Sequence, residues 1–237
     1  MSSSERLRKT HTAFGGGKRI FNERAVSHEK NTQEAMKTVL QQLRHEYPQY
    51  EFTHESTLSK KEINEALRVA DSRYGTYQWA TNTSIRPDGG FILARSASGK
   101  KHLVLTSEAK KQGTNDIRAL EGKKKQGCGN AIERACKNVN EVRNYLINED
   151  YFPYVMFCCG CDFLPESTIP DRLTSLTYGQ PFNKLYIANE KLGRTMAQKP
   201  SIFLEPGGWS LDKMVTILRQ AAEEAMCFIE KSTEPIN

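Results

Sequence analysis

Pro153-Tyr-Val-Met-Phe157 is a short apolar run with no charged residue in it. Such a run reads as a strand buried on both faces, the pattern of a central parallel strand rather than of a half-exposed one. A chain built around it must cover two faces of a sheet, so the rest of the sequence has to supply helices for both sides. It does so. His28 to Glu46 carries Met36, Val39, Leu40 and Leu43 at helical spacing and closes at Tyr47-Pro48. Ser59 to Asp71 reads as a second helix, with Ser59 and Glu62 forming a capping box and Ile63, Leu67 and Val69 on its apolar stripe. These first two helices are expected to form one layer against the sheet. Asn130 to Leu146 repeats the helical pattern through Ile132, Val139, Val142 and Leu146, and Leu211 to Lys231 does so through Met214, Ile217, Leu218, Ala221, Ala225 and Phe228.

Between the helices, Tyr74 to Ile85 is rich in Thr, Tyr and Trp and is expected to be a strand. Pro87-Asp-Gly-Gly90 interrupts it, Phe91-Ile-Leu93 resumes extended structure, and the turn Ser96-Ala-Ser-Gly99 leads into His102 to Thr106 as the return arm of a hairpin. Leu185-Tyr-Ile187 is expected to be a further strand, and Thr114 to Gly129 a Lys/Gly-rich loop. The order of elements predicts an α/β fold with a central mixed β-sheet flanked by helices on both faces. With 237 residues the chain is long enough for one such core. Residues 1–28 are expected to form a flexible basic arm and residues 29–237 a single domain.

The net charge of +6 is concentrated. Gly99 to Lys125 holds eight Lys/Arg against three Asp/Glu, a surplus that favours a polyanionic substrate. No apolar stretch approaches the length of a membrane span, and no apolar segment follows a basic start, so a cytoplasmic protein is expected. Cys158 and Cys161 form a C-x-x-C without a second matching pair; packing in a buried strand is the simpler reading than zinc or redox chemistry.

One spacing couples directly to chemistry. Pro87-Asp88 precedes Glu108-Ala-Lys110 by about twenty residues across the expected hairpin, and strand alternation puts Glu108 and Lys110 on one face. Phosphodiester hydrolysis needs a hydroxide near neutral pH, neutralisation of charge on the transition state and help for the departing oxygen, and a divalent cation serves all three needs. Mg²⁺ prefers oxygen ligands and keeps several waters, so Asp88, Glu108 and the Ala109 carbonyl form a sufficient protein ligand set. Lys110 can orient the attacking water or stabilise the phosphate charge. The alternative is a salt-bridged surface hairpin.

Five ordered blocks decide between these readings. Glu62-Ile-Asn-Glu-Ala-Leu67, Ser84-Ile-Arg-Pro-Asp-Gly-Gly90, Glu108-Ala-Lys-Lys-Gln-Gly113, Gly129-Asn-Ala-Ile-Glu-Arg134 with Lys137-Asn138, and Phe152-Pro-Tyr-Val155 resemble the EcoRI-like type II restriction endonucleases of the PD-(D/E)xK superfamily. The resemblance runs from about Tyr47 to Tyr178. It implies a cytoplasmic, prokaryotic homodimer that cuts double-stranded DNA at a palindrome with Mg²⁺, Mn²⁺ serving as substitute, to leave four-base 5′ overhangs ending in 5′-phosphates. It also implies a cognate DNA methyltransferase in the host. Asp88, Glu108 and Lys110 stand at the family's catalytic positions, and Arg86 stands where the family carries a lysine. Gln112 matches a residue of the recognition interface. Asn130, Glu133 and Arg134 fall in the family's base-reading segment, where Asn130 can pair with an adenine edge, Arg134 offers a fork to purine N7 and Glu133 braces Arg134.

Departures from the family concern the outer base pair. Gln126-Gly-Cys128 replaces a Met-Ala-Ala run, and of two recognition arginines Arg172 remains while Ile169 stands at the other. The loops Thr114 to Cys128 and Asp162 to Pro170 are shorter. The expected target therefore contains AATT, as GAATTC or as the relaxed RAATTY. Two functions compete: another PD-(D/E)xK nuclease acting on damaged or branched DNA, and a catalytically inactive DNA-binding protein.

Overall fold

The computed structural model of the chain describes residues 17–76, 83–111, 122, 130–160, 163, 169–188 and 198–233. A five-stranded sheet organises them: β1 (Glu51–Glu55), β4 (Gly90–Arg95), β5 (Lys101–Lys111), β6 (Tyr154–Cys159) and β7 (Ser201–Leu204), in that spatial order. A two-stranded ribbon pairs β2 (Leu58–Ser59) with β3 (Ser84–Ile85). β4 pairs antiparallel with both β1 and β5, whereas β5, β6 and β7 are mutually parallel, so the sheet is mixed. β6 is the apolar run of the sequence and lies inside the parallel half, every residue buried.

Alternation along the strands divides the core in two. Ile92, Ala94, Val155 and Phe157 face α1 (Gly17–Glu46) and α5 (Leu211–Thr233), which pack together through residues such as Met36, Leu43, Met214 and Ala225. Phe91, Leu93, Leu103, Tyr154 and Met156 face the opposite layer, where α2 (Lys60–Ala70) and α3 (Asn130–Tyr145) contribute Ile63, Ile132, Val139 and Val142. A short helix, α4 (Ile169–Thr174), adds Ile169 and Leu173 to this second core.

Helices on both faces of a mixed sheet are therefore present, but α1 and α2 do not share a layer. Each has an apolar stripe, and the crossing of the chain at β1 and β2 sends the stripes to opposite sides of the sheet. The capping box at Ser59 and Glu62 forms as expected, the Glu62 amide donating to Ser59 Oγ at 3.1 Å. Of the stripe on α2, Ile63 is buried while Val69 is 74% exposed, one turn beyond the point where α2 meets the core. α1 starts at Gly17 and not at His28, which places residues 17–28 in a helix rather than in an arm; residues 1–16 lie outside the described part.

Two strand expectations fail. Tyr74 and Gly75 form a bend, with Gly75 at φ +62°, and among the described residues only Ser84–Ile85 of the expected Tyr74–Ile85 strand is extended and paired; residues 77–82 lie outside the described part. Leu185 to Ile187 is not a strand either. Ile187 lends its carbonyl to the Phe152 amide at 2.8 Å, but the partner of β6 is β7, from a segment that the sequence reading passed over. The expected Thr114–Gly129 loop lies outside the described residues except Gly122.

Candidate active site

Antiparallel pairing of β4 with β5 sets Gly90 opposite Ser107, which carries the turn before β4 alongside the end of β5. Gly89 donates its amide to the Ser107 carbonyl at 3.0 Å, and Gly90 donates to the Pro87 carbonyl at 3.1 Å. Both glycines are sterically required. A Cβ on Gly89 would sit 2.0 Å from Ser107 Oγ, and one on Gly90, at φ +72°, would sit 2.6 Å from the Glu55 carbonyl. The turn is braced by His54 Nε2, which donates to the Gly89 carbonyl at 2.8 Å, and by Gln33 of α1, whose amide donates to the Asp88 carbonyl at 3.2 Å.

This backbone brings Asp88, Glu108 and Lys110 into direct contact. The Lys110 ammonium donates to Asp88 Oδ2 at 2.8 Å, to the Ala109 carbonyl at 3.2 Å and to Glu108 Oε1. Asp88 Oδ2 also accepts from the Ala109 amide at 3.2 Å. Glu108 is 2% exposed. Burial pushes its carboxyl above the usual carboxylate range; Lys110 opposes that shift and the nearby Asp88 adds to it. Burial also disfavours the charge on Lys110, yet attraction to Glu108 and Asp88 prevails and raises its pKa.

Three oxygens, from Asp88, Glu108 and the Ala109 carbonyl, converge on a single cationic nitrogen. That is the donor set a hard divalent cation takes, with water and a substrate oxygen completing it. Among the described residues no group of three or more His, Cys, Asp or Glu side chains has the geometry to hold a metal, so two carboxylates and one backbone oxygen are what this chain offers there. The residues fit such an ion.

Around the convergence point lies a cleft of about 460 Å³, walled by Arg86 before β4, Lys111 of β5, Arg134, Lys137 and Asn138 of α3, and His28 and Glu29 of α1. Arg86 and Arg134 both line this cleft. Glu133 is exposed on the first turn of α3 outside the cleft wall, and Arg172 is exposed on α4 away from it. Gln112 lies outside the described residues, as does the side chain of Asn130, whose backbone begins α3. Cys158 is packed in the second core, its thiol pushed up by burial, while Cys161 lies outside the described residues.

Several residues of the site carry no motif. Glu108 Oε2 accepts from Asn138 Nδ2 at 3.1 Å and from the Tyr154 hydroxyl at 3.4 Å. His28 is 6% exposed and donates from Nε2 to the Phe157 carbonyl at 3.3 Å; burial lowers its pKa, so it is a neutral anchor of α1 on β6. Glu29 faces the cleft, and partial burial followed by the proximity of Asp88 raises its pKa. Asn138 and Tyr154 fall within the resemblance blocks Lys137-Asn138 and Phe152-Pro-Tyr-Val155 but carry no chemical motif of their own, and His28 and Glu29 lie outside every such block.

Comparison with known proteins gives the same direction. The family model described as restriction endonuclease EcoRI matches residues 14–170. The type II restriction enzyme EcoRI of Escherichia coli is 34% identical over 244 residues, covering 90% of this chain and 88% of that protein. The type II restriction enzyme RsrI of Cereibacter sphaeroides is 33% identical over 248 residues, covering 91% and 89%.

Proposed function

This chain belongs to the EcoRI family of restriction endonucleases, the type II site-specific deoxyribonucleases, and from that membership we propose that it cuts duplex DNA at a palindrome with an AATT core. The observation that carries the assignment of the cutting site is the convergence of Asp88 Oδ2, Glu108 Oε1 and the Ala109 carbonyl on one cationic centre at the floor of a basic cleft.

Asp88, Glu108 and the Ala109 carbonyl would hold Mg²⁺, with Mn²⁺ as a substitute. When bound, the ion supplies Lewis-acid stabilisation of the phosphoryl oxygens and an acidified water. The chain's own residues do the rest. Lys110 acts as a charged donor toward the reacting phosphate or the attacking water. Arg86 and Lys137 place cationic groups along the cleft, where they hold the phosphodiester backbone in register. Burial of Glu108 keeps bulk water from its carboxylate, so its charge acts at low dielectric on whatever enters the cleft.

Base reading falls to the start of α3. Asn130 pairs with an adenine edge, Arg134 with a purine N7, Glu133 braces Arg134, and Gln112 and, from α4, Arg172 contribute further contacts. The inner AATT is read by the α3 residues. The outer pair admits either GAATTC or RAATTY, because each absent bidentate contact removes roughly 1–3 kcal/mol of discrimination. A palindrome is matched by two-fold symmetry, so the enzyme acts as a homodimer and leaves four-base 5′ overhangs bearing 5′-phosphates. It works in a prokaryotic cytoplasm beside a methyltransferase that protects the host sites; no helix of the described residues is long and apolar enough to cross a membrane.

Glu108→Ala provides the test. The variant is expected to bind its DNA site with near-wild-type affinity in Ca²⁺ and to lose cleavage in Mg²⁺, while sequenced ends from a wild-type plasmid digest share a central AATT. Cleavage retained by Glu108→Ala overturns the site. A preference for branched or mismatched duplexes, or ends without AATT, replaces the restriction reading with a repair or junction nuclease.

A further inference from the structure

The two oxygens of Glu108 face different chemistry. Oε1 is directed at the Lys110 ammonium, whereas Oε2 meets two neutral donors, Asn138 Nδ2 at 3.1 Å and the Tyr154 hydroxyl at 3.4 Å. The carboxylate is buried and Tyr154 is fully buried beside it, so solvent does not freely replace the Tyr154 donor, while Asn138 is half-buried and meets Glu108 from the cleft wall. Paired donors on one oxygen fix the rotation of the carboxyl plane and leave the other oxygen available for a cation.

Tyr154 belongs to the sheet, on the strand next to β5. Asn138 does not. It comes from α3, four residues after Arg134, and the two side chains stand on one face of the helix about 6 Å apart along its axis. Both line the cleft, with Lys137 between them in sequence. Thus the helix whose first turn faces the bases also grips the catalytic carboxylate from its third turn. A 16-residue helix moves as a unit on this length scale, so a shift at Arg134 reaches Asn138.

We propose that Asn138 is a positioning residue that couples the seating of α3 on DNA to the alignment of Glu108: it clamps Oε2 together with Tyr154 and thereby presents Oε1 to the cation and the phosphate. The inference rests on the reading of Glu108 as a metal-holding carboxylate. Under it, DNA with an altered inner base draws α3 out of the position in which the DNA-free protein already makes this contact, the clamp on Oε2 opens, and cleavage is slow for a reason separate from weaker binding.

Asn138→Ala tests the coupling. At the intact site kcat is expected to fall about 10- to 100-fold, the usual cost of removing a donor that orients a metal ligand, with the DNA KM changed less than about threefold. At a site with one inner base pair altered the rate is expected to change little, so the ratio of the two rates collapses by the same factor. Independently of turnover, Mn²⁺ affinity of the DNA-free protein, read from the electron paramagnetic resonance of the free ion, is expected to weaken about tenfold. Tyr154→Phe, which preserves volume in the core, is expected to shift the same three quantities in the same direction by a smaller factor. An equal fall at both sites makes Asn138 a structural residue and overturns the proposal, as does an unchanged kcat. An inactive Glu108→Ala beside an unimpaired Asn138→Ala overturns this proposal alone, whereas cutting by Glu108→Ala overturns the site reading beneath it.

Discussion

At the scale of single residues the site depends on atoms that are missing as much as on those present. Gly90 adopts φ +72° while its Cα hydrogen faces the Glu55 carbonyl, a backbone atom that cannot rotate away. Gly90→Ala is therefore expected to cost about 1–3 kcal/mol, from overpacking and from a backbone conformation that side chains disfavour. Because Asp88 is only two residues away, cleavage should fall by more than the stability loss explains. Urea unfolding midpoints set against cleavage rates at 25 °C check this, and an Ala variant as stable and active as the parent would remove the steric argument. The acid pair and lysine were legible in the sequence because strand alternation alone puts Glu108 and Lys110 on one face, and the turn signal before β4 brings Asp88 to them. Asn138, Tyr154, His28 and Glu29 were not, since each reaches the site through tertiary packing that no local spacing encodes.

Among the elements, β5 carries the largest demands. It is buried from His102 to Ala109 and pairs on both edges, antiparallel to β4 and parallel to β6. His102 lies in it with Nε2 lacking a hydrogen-bond partner, and burial, followed by the nearby Lys100, pushes its pKa from 6.5 down to about 4. The unfolded chain thus binds the proton more readily than the folded one. This contribution to stability is intact above pH 6.5 and is lost as pH falls toward 4, by about 3 kcal/mol at the lower end. His102→Leu is expected to flatten the decline, measured by urea unfolding at pH 7, 5.5 and 4.5; parallel declines in both proteins would refute the assignment. Elements of this kind were readable in the sequence where the pattern was long. β6 announced itself as an unbroken apolar run, and α3 and α5 through full helical stripes. β7 is four residues long, too short for periodicity to separate it from Leu185–Ile187, and the winner is decided by which segment lies in reach of the free edge of β6. The layers of α1 and α2 were equally undecidable, because a stripe specifies that a face is covered and not which face.

For the whole molecule, charge and architecture act together. The sheet places its acids at the cleft floor while Arg86, Lys111, Arg134 and Lys137 surround them, so the excess positive charge of the chain is directed at the point of reaction. Binding to nonspecific duplex should accordingly weaken steeply with salt. Lys137→Ala is expected to reduce the slope of log Kd against log salt by about 1 per subunit with little effect on which sequence is chosen, as fluorescence anisotropy across a salt series would register. An unchanged slope would place Lys137 off the phosphate path. Finally, the contact of Lys110 with both acids and the Ala109 carbonyl has a consequence for how such a protein is made. Two neighbouring carboxylates ordinarily resist being folded together without a counter-ion, and here the counter-ion is tethered one residue from Ala109. The chain can thus fold before any divalent ion reaches it, so under the proposed metal-dependent chemistry biosynthesis and arming become separate events.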